Sequence, residues 1–211
     1  VGDDFQINPE QIESRYFGVL TKIFNVGRFA SQFDFNDDLD KVPNGLENED
    51  QWILSEFSEL LEKAGKGYSE LDIYTAAQGI KTFSTGVFAS HWLEMSKTRL
   101  YNGNASATWT LHRVFRDMMS ILSPVCPFFT HHLSTTLYGR SAVDVDQFPE
   151  SPMTDTSDWT KLTDSLVEFN STVWKAKKDA GISLAAPISG HSVPDELKAL
   201  EQALTGMHKL E

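Results

Sequence analysis

The sequence predicts a mainly α protein: an antiparallel helix bundle followed by a small C-terminal α+β appendage. Three observations predict it. Apolar residues recur at helical spacing through most of residues 9 to 138. The breaks between these runs are short and rich in Gly, Pro and Asn, as connections between neighbouring antiparallel helices are. After residue 158 the pattern becomes helix, a short β-like run, then helix again.

In the first helix Val19, Ile23, Val26, Ala30 and Phe33 are 4, 3, 4 and 3 residues apart, which places them in one stripe. Asn8 as cap and Pro9 as first helical residue open it, and it is expected to run from about Pro9 to Gln32. An acidic loop follows to about Asn48, turning at Pro43-Asn44-Gly45. The second helix carries Trp52, Ile53, Phe57, Leu60, Leu61 and Ala64 inward and ends near Gly65-Lys66-Gly67. The third starts near Leu71, carries Ala77, Ile80, Phe83, Val87 and Phe88, and reaches about Leu100 before Asn102-Gly103-Asn104. The fourth spans about Ala105 to Leu122, with Leu111, Val114, Phe115, Met118 and Ile121 inward. Pro124 breaks the chain and Pro127 begins a short helix to about Tyr138. Residues 139–158 read as a linker or a strap across the bundle. Residues 159–211 form the appendage, with a helix from about Leu162 to Ala180, a β-like run Ile182–Ile188 and a helix from Asp195 to about Lys209.

Composition narrows the function. The chain has 211 residues, of which 40 % are apolar and 11 % aromatic, enough to bury a core and too much for a disordered chain. No apolar run reaches the ~20 residues of a membrane span. The single cysteine, Cys126, excludes an internal disulfide framework and a multi-cysteine zinc site. A reduced, cytoplasmic protein is expected. The chain opens on Val1 and an acidic stretch, and reads as a piece of something longer.

The net charge of −12 argues against a nucleic-acid partner on totals alone. Its distribution does not. Seven acids crowd Phe33 to Asp50 against Lys41 alone, whereas Trp92 to Arg116 holds Lys97, Arg99, Arg113 and Arg116 against Glu94 and no other acid up to Arg116. A local basic face on an acidic protein stays open.

Catalytic and metal-binding patterns are lacking. Neither G-x-x-x-x-G-K-[ST] nor G-x-G-x-x-G occurs, and adjacent His131 and His132 point about 100° apart on a helix. No catalytic residue and no metal ligand is assigned. Glu94-Met95-Ser96-Lys97-Thr98 resembles the K-M-S-K-S loop of class I aminoacyl-tRNA synthetases but sits inside a helical pattern, so it reads as helix surface. Asn104-Ala105-Ser106 and Asn170-Ser171-Thr172 match the glycosylation pattern by chance.

Three features carry binding chemistry, each with a structural alternative. Lys22, Asn25 and Phe29 share a helix flank with Arg28 beside them, a set suited to stacking, base-edge hydrogen bonds and phosphate neutralisation. The alternative is a solvated flank with Phe29 tucked into the bundle. Leu93 and Glu94 precede Lys97 and Arg99, and a carboxylate among cations can accept from a base amino group. The alternative is an i, i+3 salt bridge from Glu94 to Lys97. Lys175, Lys177 and Lys178 end a helix, where cations bind phosphate or simply offset the helix dipole.

These residues carry a resemblance. Lys22-Ile-Phe-Asn-Val-Gly-Arg-Phe29 resembles the K-x-W-N-x-x-R-F segment that opens the anticodon-binding bundle of class I synthetases for valine, isoleucine and leucine. Asp50-Gln-Trp-Ile-Leu-Ser55, Trp92-Leu-Glu-Met-Ser-Lys-Thr-Arg-Leu100 and Ile121-Leu-Ser-Pro-Val-Cys-Pro-Phe-Phe-Thr130 are similar, in order, to its D-x-W-I-L-S, W-Y-L-E-x-x-K-x-R-L and L-L-A-P-x-x-P-F-x-T segments. The valine-specific, archaeal-like branch matches best, and Trp174 to Leu184, Val193 to Leu197 and Met207 to Lys209 look like the region after its bundle. Phe24 replaces the usual Trp. Gly27 replaces a commoner Ala, at up to ~1 kcal/mol in an exposed helix unless close packing needs it.

The resemblance implies a tRNA-binding module that recognises the middle and last anticodon nucleotides of tRNA-Val, through Lys22, Asn25, Arg28, Phe29, Leu93, Glu94, Lys97 and Arg99, with Lys175 and Lys178 as backbone contacts. It places the catalytic and editing domains, with ATP and magnesium, upstream in the same chain, so that this fragment holds no cofactor and no catalytic site. An isoleucyl or leucyl equivalent, or a helical protein-interaction module, is the alternative.

Overall fold

The structure is a computed structural model and describes residues 10, 17–35, 38–140, 148–153 and 156–211. The expected Asn8 cap, Pro9 start and residues 11–16 of the first helix lie outside these, as do Asp37 and residues 141–147 and 154–155 of the expected strap.

Five helical passes make the bundle among the described residues. Helix α1 (Gly18–Ala30) buries Ile23, Val26 and Ala30 from its stripe. Helix α2 (Asn48–Ser69) starts earlier than its apolar pattern, with Glu49 and Asp50 in its first turn, and buries all six expected residues. The third pass is one rod of three windings: α3 (Ile73–Thr82), a π-helical stretch Phe83–Trp92, and α4 (Leu93–Tyr101). The sequence predicted its span but not its π winding, which mostly occurs as single turns. Helices α5 (Ala105–Leu122) and α6 (Pro127–Tyr138) have the expected bounds. Asn104 caps α5 by accepting from the Ala107 N–H at 2.9 Å, and Gly139 stops α6 in the left-handed region at φ 65°.

The core is aromatic. Trp52, Trp92, Trp109, Phe57, Phe88 and Phe115 are completely buried. Phe83, Phe88 and Trp92 form a stacked ladder along the π stretch, with centroids 5.9 and 5.2 Å apart. Gly27 fits close packing: a Cβ there would lie 3.0 Å from Phe115 Cζ, so α1 approaches α5 closely enough that any larger residue would press on that ring.

Arginines of α5 strap the loops to the bundle. Arg113 donates to the carbonyls of Leu39 (2.7 Å) and Glu150 (2.8 Å), and Arg116 pairs with Asp40 and Asp117. One buried side chain thus holds both the acidic loop and the segment around Glu150.

The C-terminal segment shares this core. Short α7 (Ser157–Thr160) leads into α8 (Thr163–Asp179), then a 3-10 turn (Asp195–Leu200) and α9 (Glu201–His208). Leu166, Val173, Leu197 and Leu204 join the same apolar cluster as the bundle, and Trp52 Nε1 donates to Thr163 at 2.8 Å. The expected β-run does not form a strand. Ile188 makes one isolated parallel bridge with Leu210, and among the described residues there is no sheet for it to join. Pro187 withdraws a backbone donor beside it and Gly190 turns the chain away. The final helix is also shorter than expected, since its first six residues, Asp195–Leu200, wind as 3-10. Among the described residues no helix is long and apolar enough to cross a membrane.

Candidate nucleic-acid interface

Eight of the expected binding residues lie on α1 and on α4, the last part of the third pass, along which α1 runs in the same direction; Lys175 and Lys178 lie on α8. Lys22 of α1 is close enough to Glu94 of α4 to feel its charge, and seven residues further along each helix Phe29 meets Tyr101 at 6.0 Å. Equal steps of about 10 Å on both helices fix a parallel pair. An antiparallel bundle of up-and-down passes produces that relation between its first and third passes.

Along this pair the side chains divide into open and engaged. Asn25 and Arg28 are exposed, and Arg28 makes no ion pair among the described residues. Phe29 is half-buried, edge-on to Phe33 at 5.0 Å and to Tyr101. Phe29 thus packs on the bundle while part of its surface stays open. Glu94 and Lys97 form the i, i+3 salt bridge, with the ammonium 2.6 and 2.8 Å from the two carboxylate oxygens. Each keeps about two-fifths of its side chain exposed, so the pair stays accessible.

Three other expected residues are engaged below the surface. Leu93 is buried, 6 % exposed. The Lys22 ammonium donates to the Thr85 carbonyl at 2.5 Å and to Ser90 Oγ at 2.8 Å, tying α1 to the π stretch. Burial holds this ammonium below its ordinary range, with the Glu94 charge acting in the opposite direction. Arg99 binds Glu49 at 2.7 Å and Asp50 at 2.5 Å, and reaches Asn104 and Ser106 as well. With Arg113 and Arg116 paired too, the basic stretch from Lys97 to Arg116 spends its guanidinium groups inside the protein.

Lys175 and Lys178 are exposed near the end of α8, while Lys177 between them turns inward. Its ammonium donates to the carbonyls of Leu184 (2.8 Å) and His208 (2.7 Å). Next to it Asn170 bridges two buried imidazoles, His91 at 2.9 Å and His208 at 2.8 Å, with Trp174 against both rings. Asn170 is thus fully buried and Asn104 caps a helix, so neither side chain stands open as a glycosylation acceptor. Among the described residues no three His, Cys, Asp or Glu side chains gather as a metal site would require.

Tyr101 is the residue that sequence reasoning missed. It completes the aromatic cluster with Phe29 and Phe33, and it is 64 % exposed. Its place next to Asn102-Gly103 looked like a helix end, and only the parallel packing of α1 and α4 brings it to Phe29.

An all-helical bundle that presents amide, cation and aromatic groups on one face is the architecture of a tRNA-reading domain, and this chain belongs to the family described as the anticodon-binding domain of tRNA ligase, whose model matches residues 50–192. Its similar proteins are valine–tRNA ligases. That of Aeropyrum pernix is 31 % identical over 99 % of this chain and 26 % of its own length, and that of Pyrobaculum aerophilum 31 % identical over 100 % and 27 %. The enzyme of Sulfurisphaera tokodaii is 31 % identical over 74 % of this chain and 20 % of its own length. The chain thus spans about a quarter of the length of the curated relatives it matches.

Proposed function

We propose that this chain is the anticodon-reading module of a cytoplasmic valine–tRNA ligase and grips the anticodon loop of tRNA-Val. The observation that carries the reading is the run of α1 along the third pass, with Lys22 within range of the Glu94 charge and Phe29 against Tyr101, while Asn25, Arg28 and the Glu94–Lys97 pair stay accessible. Phe29 stacks on a base, Asn25 and Glu94 meet base edges, and Arg28 and Lys97 hold phosphates. Lys22, Leu93 and Arg99 hold the two helices in place from beneath, and Lys175 and Lys178 touch the RNA backbone from α8. The catalytic and editing domains, with ATP and magnesium, belong to the part of the ligase outside these 211 residues. The valine assignment rests on the relatives, since the bundle alone fits an isoleucine or leucine enzyme equally well.

The test is binding to tRNA-Val transcripts at two salt concentrations, beside transcripts altered in the middle or last anticodon base. Affinity that falls with salt and again with either base change supports the reading. Affinity indifferent to the anticodon overturns it.

A further inference from the structure

Beside the α1/α4 pair lies a cavity of about 550 Å³ that the proposed contacts leave unused. Phe33, Phe35 and Tyr101 line it with Gly103, and the exposed side chains of Gln32 and Asp34 line it too. Its volume falls in the range that takes a small organic ligand. Tyr101 braces Phe33 at 5.6 Å and Phe29 at 6.0 Å while most of its own surface stays in water. Among the described residues nothing hydrogen-bonds its hydroxyl or the Asp34 carboxylate. An exposed aromatic next to an unpaired acceptor is suited to a flat, apolar ring with N–H donors on its edge.

The acid also limits the ligand. Asp34 belongs to the acidic loop, so a phosphate inside this cavity is repelled, whereas a neutral base is not. Exposed Arg28 sits one helical turn before Gln32, whose amide donates to the Arg28 carbonyl at 3.4 Å. A sugar–phosphate backbone following Arg28 stays outside while its base turns in.

We propose that this cavity is a further nucleotide subsite: an unstacked base of the bound RNA, next to the one on Phe29, stacks on Tyr101 and offers its edge to Asp34. A carboxylate accepts two hydrogen bonds side by side, so the base it suits is guanine, whose N1–H and exocyclic amine point the same way. This subsite rests on the tRNA-binding reading above.

The test uses the 211-residue chain and anticodon stem-loops of tRNA-Val carrying 2-aminopurine singly at each loop position. One position beyond the middle and last anticodon bases should change fluorescence on binding, keep that change in Tyr101→Phe and lose it in Tyr101→Ala. Affinity should drop about 5- to 150-fold in Tyr101→Ala. With guanosine and then inosine at that position, the wild type should favour guanosine and Asp34→Asn should narrow the preference. Wild-type binding that is unchanged by Tyr101→Ala, with no responsive position of this kind, overturns the subsite and leaves the anticodon reading standing. A wild type that binds no stem-loop overturns both.

Discussion

Arg99 and Asp50 form a fork-to-fork ion pair: one guanidinium nitrogen lies 3.0 Å from Oδ1 and the other 2.5 Å from Oδ2 of a carboxylate with no solvent exposure. Trp92 Nε1 donates to the same carboxylate at 3.2 Å, and Ser106 Oγ at 3.0 Å. The start of α2 and the end of α4 are therefore joined through one buried charge. Arg99→Ala leaves that charge unpaired and should cost about 3–5 kcal/mol in chemical denaturation. Arg99→Lys should recover only part, since an ammonium cannot serve both oxygens as a fork does. Under native conditions neither variant should change the salt slope of RNA binding.

Arg28 should behave in the opposite way. It is exposed and without an ion pair among the described residues, so Arg28→Ala should leave stability within about 0.5 kcal/mol. If it holds a phosphate, the salt slope of tRNA binding should fall by about one. Phe29→Ala should weaken binding by about 1–3 kcal/mol if its ring stacks on a base. Titration of tRNA at several salt concentrations reads both.

Lys22→Met tests the tie between α1 and the π stretch. It removes two charge-assisted hydrogen bonds while keeping an apolar stem against the bundle. A loss of about 1–3 kcal/mol in thermal or chemical unfolding is expected. Hydrogen exchange should show faster opening of the backbone around Thr85 and Ser90.

The His91–Asn170–His208 bridge makes stability depend on acid. Burial, with Lys177, His191 and His91 nearby, lowers His208 from 6.5 to about 4, and burial with Lys22 nearby lowers His91 too. Both imidazoles are neutral in the folded chain, while the unfolded chain takes up protons near 6.5. The stability is thus fully present above pH 6.5 and declines as pH falls, for His208 down toward 4 by up to about 1.4 kcal/mol per pH unit, with His91 adding in the same direction. Denaturant midpoints measured between pH 7.5 and 4.5 should follow this decline, and His208→Gln should flatten it.

Gly27 offers a packing test. Alanine improves helix propensity by up to ~1 kcal/mol but sets a methyl 3.0 Å from the tip of Phe115. Valine cannot be accommodated without moving that buried ring, and Gly27→Val should destabilise by about 1–3 kcal/mol. Gly27→Ala should show no gain, and denaturant midpoints for the pair separate crowding from propensity.

Helix existence and ends were legible where apolar spacing and stop residues agreed. Asn104 and Pro127 announce the starts of α5 and α6, and both boundaries match. The failures have local causes. Ile182–Ile188 is apolar enough for a strand, yet strand pairing is non-local and the chain supplies only Leu210 opposite Ile188. On the candidate face, helix spacing grouped Lys22, Asn25, Arg28 and Phe29, and Leu93 with Glu94, but could not tell an open charge from a paired one. Arg99 looks as available as Arg28 in the sequence. The acids that engage it, Glu49 and Asp50, are some fifty positions away.

The ten π-wound residues from Phe83 to Trp92 settle which way the third pass faces. Ile80 and Leu100 are both buried, although twenty residues of unbroken α-helix would set them about 200° apart. Bonds that close one residue later turn the backbone less at each step, and ten such steps absorb that half-turn. The stretch works as a phase shifter between two α-helical halves whose apolar stripes are written out of step. Removing one residue from it should swing Glu94, Lys97 and Tyr101 together by one such step, somewhat under 100°, so the direction in which α4 faces is set by residues that lie before it in the chain.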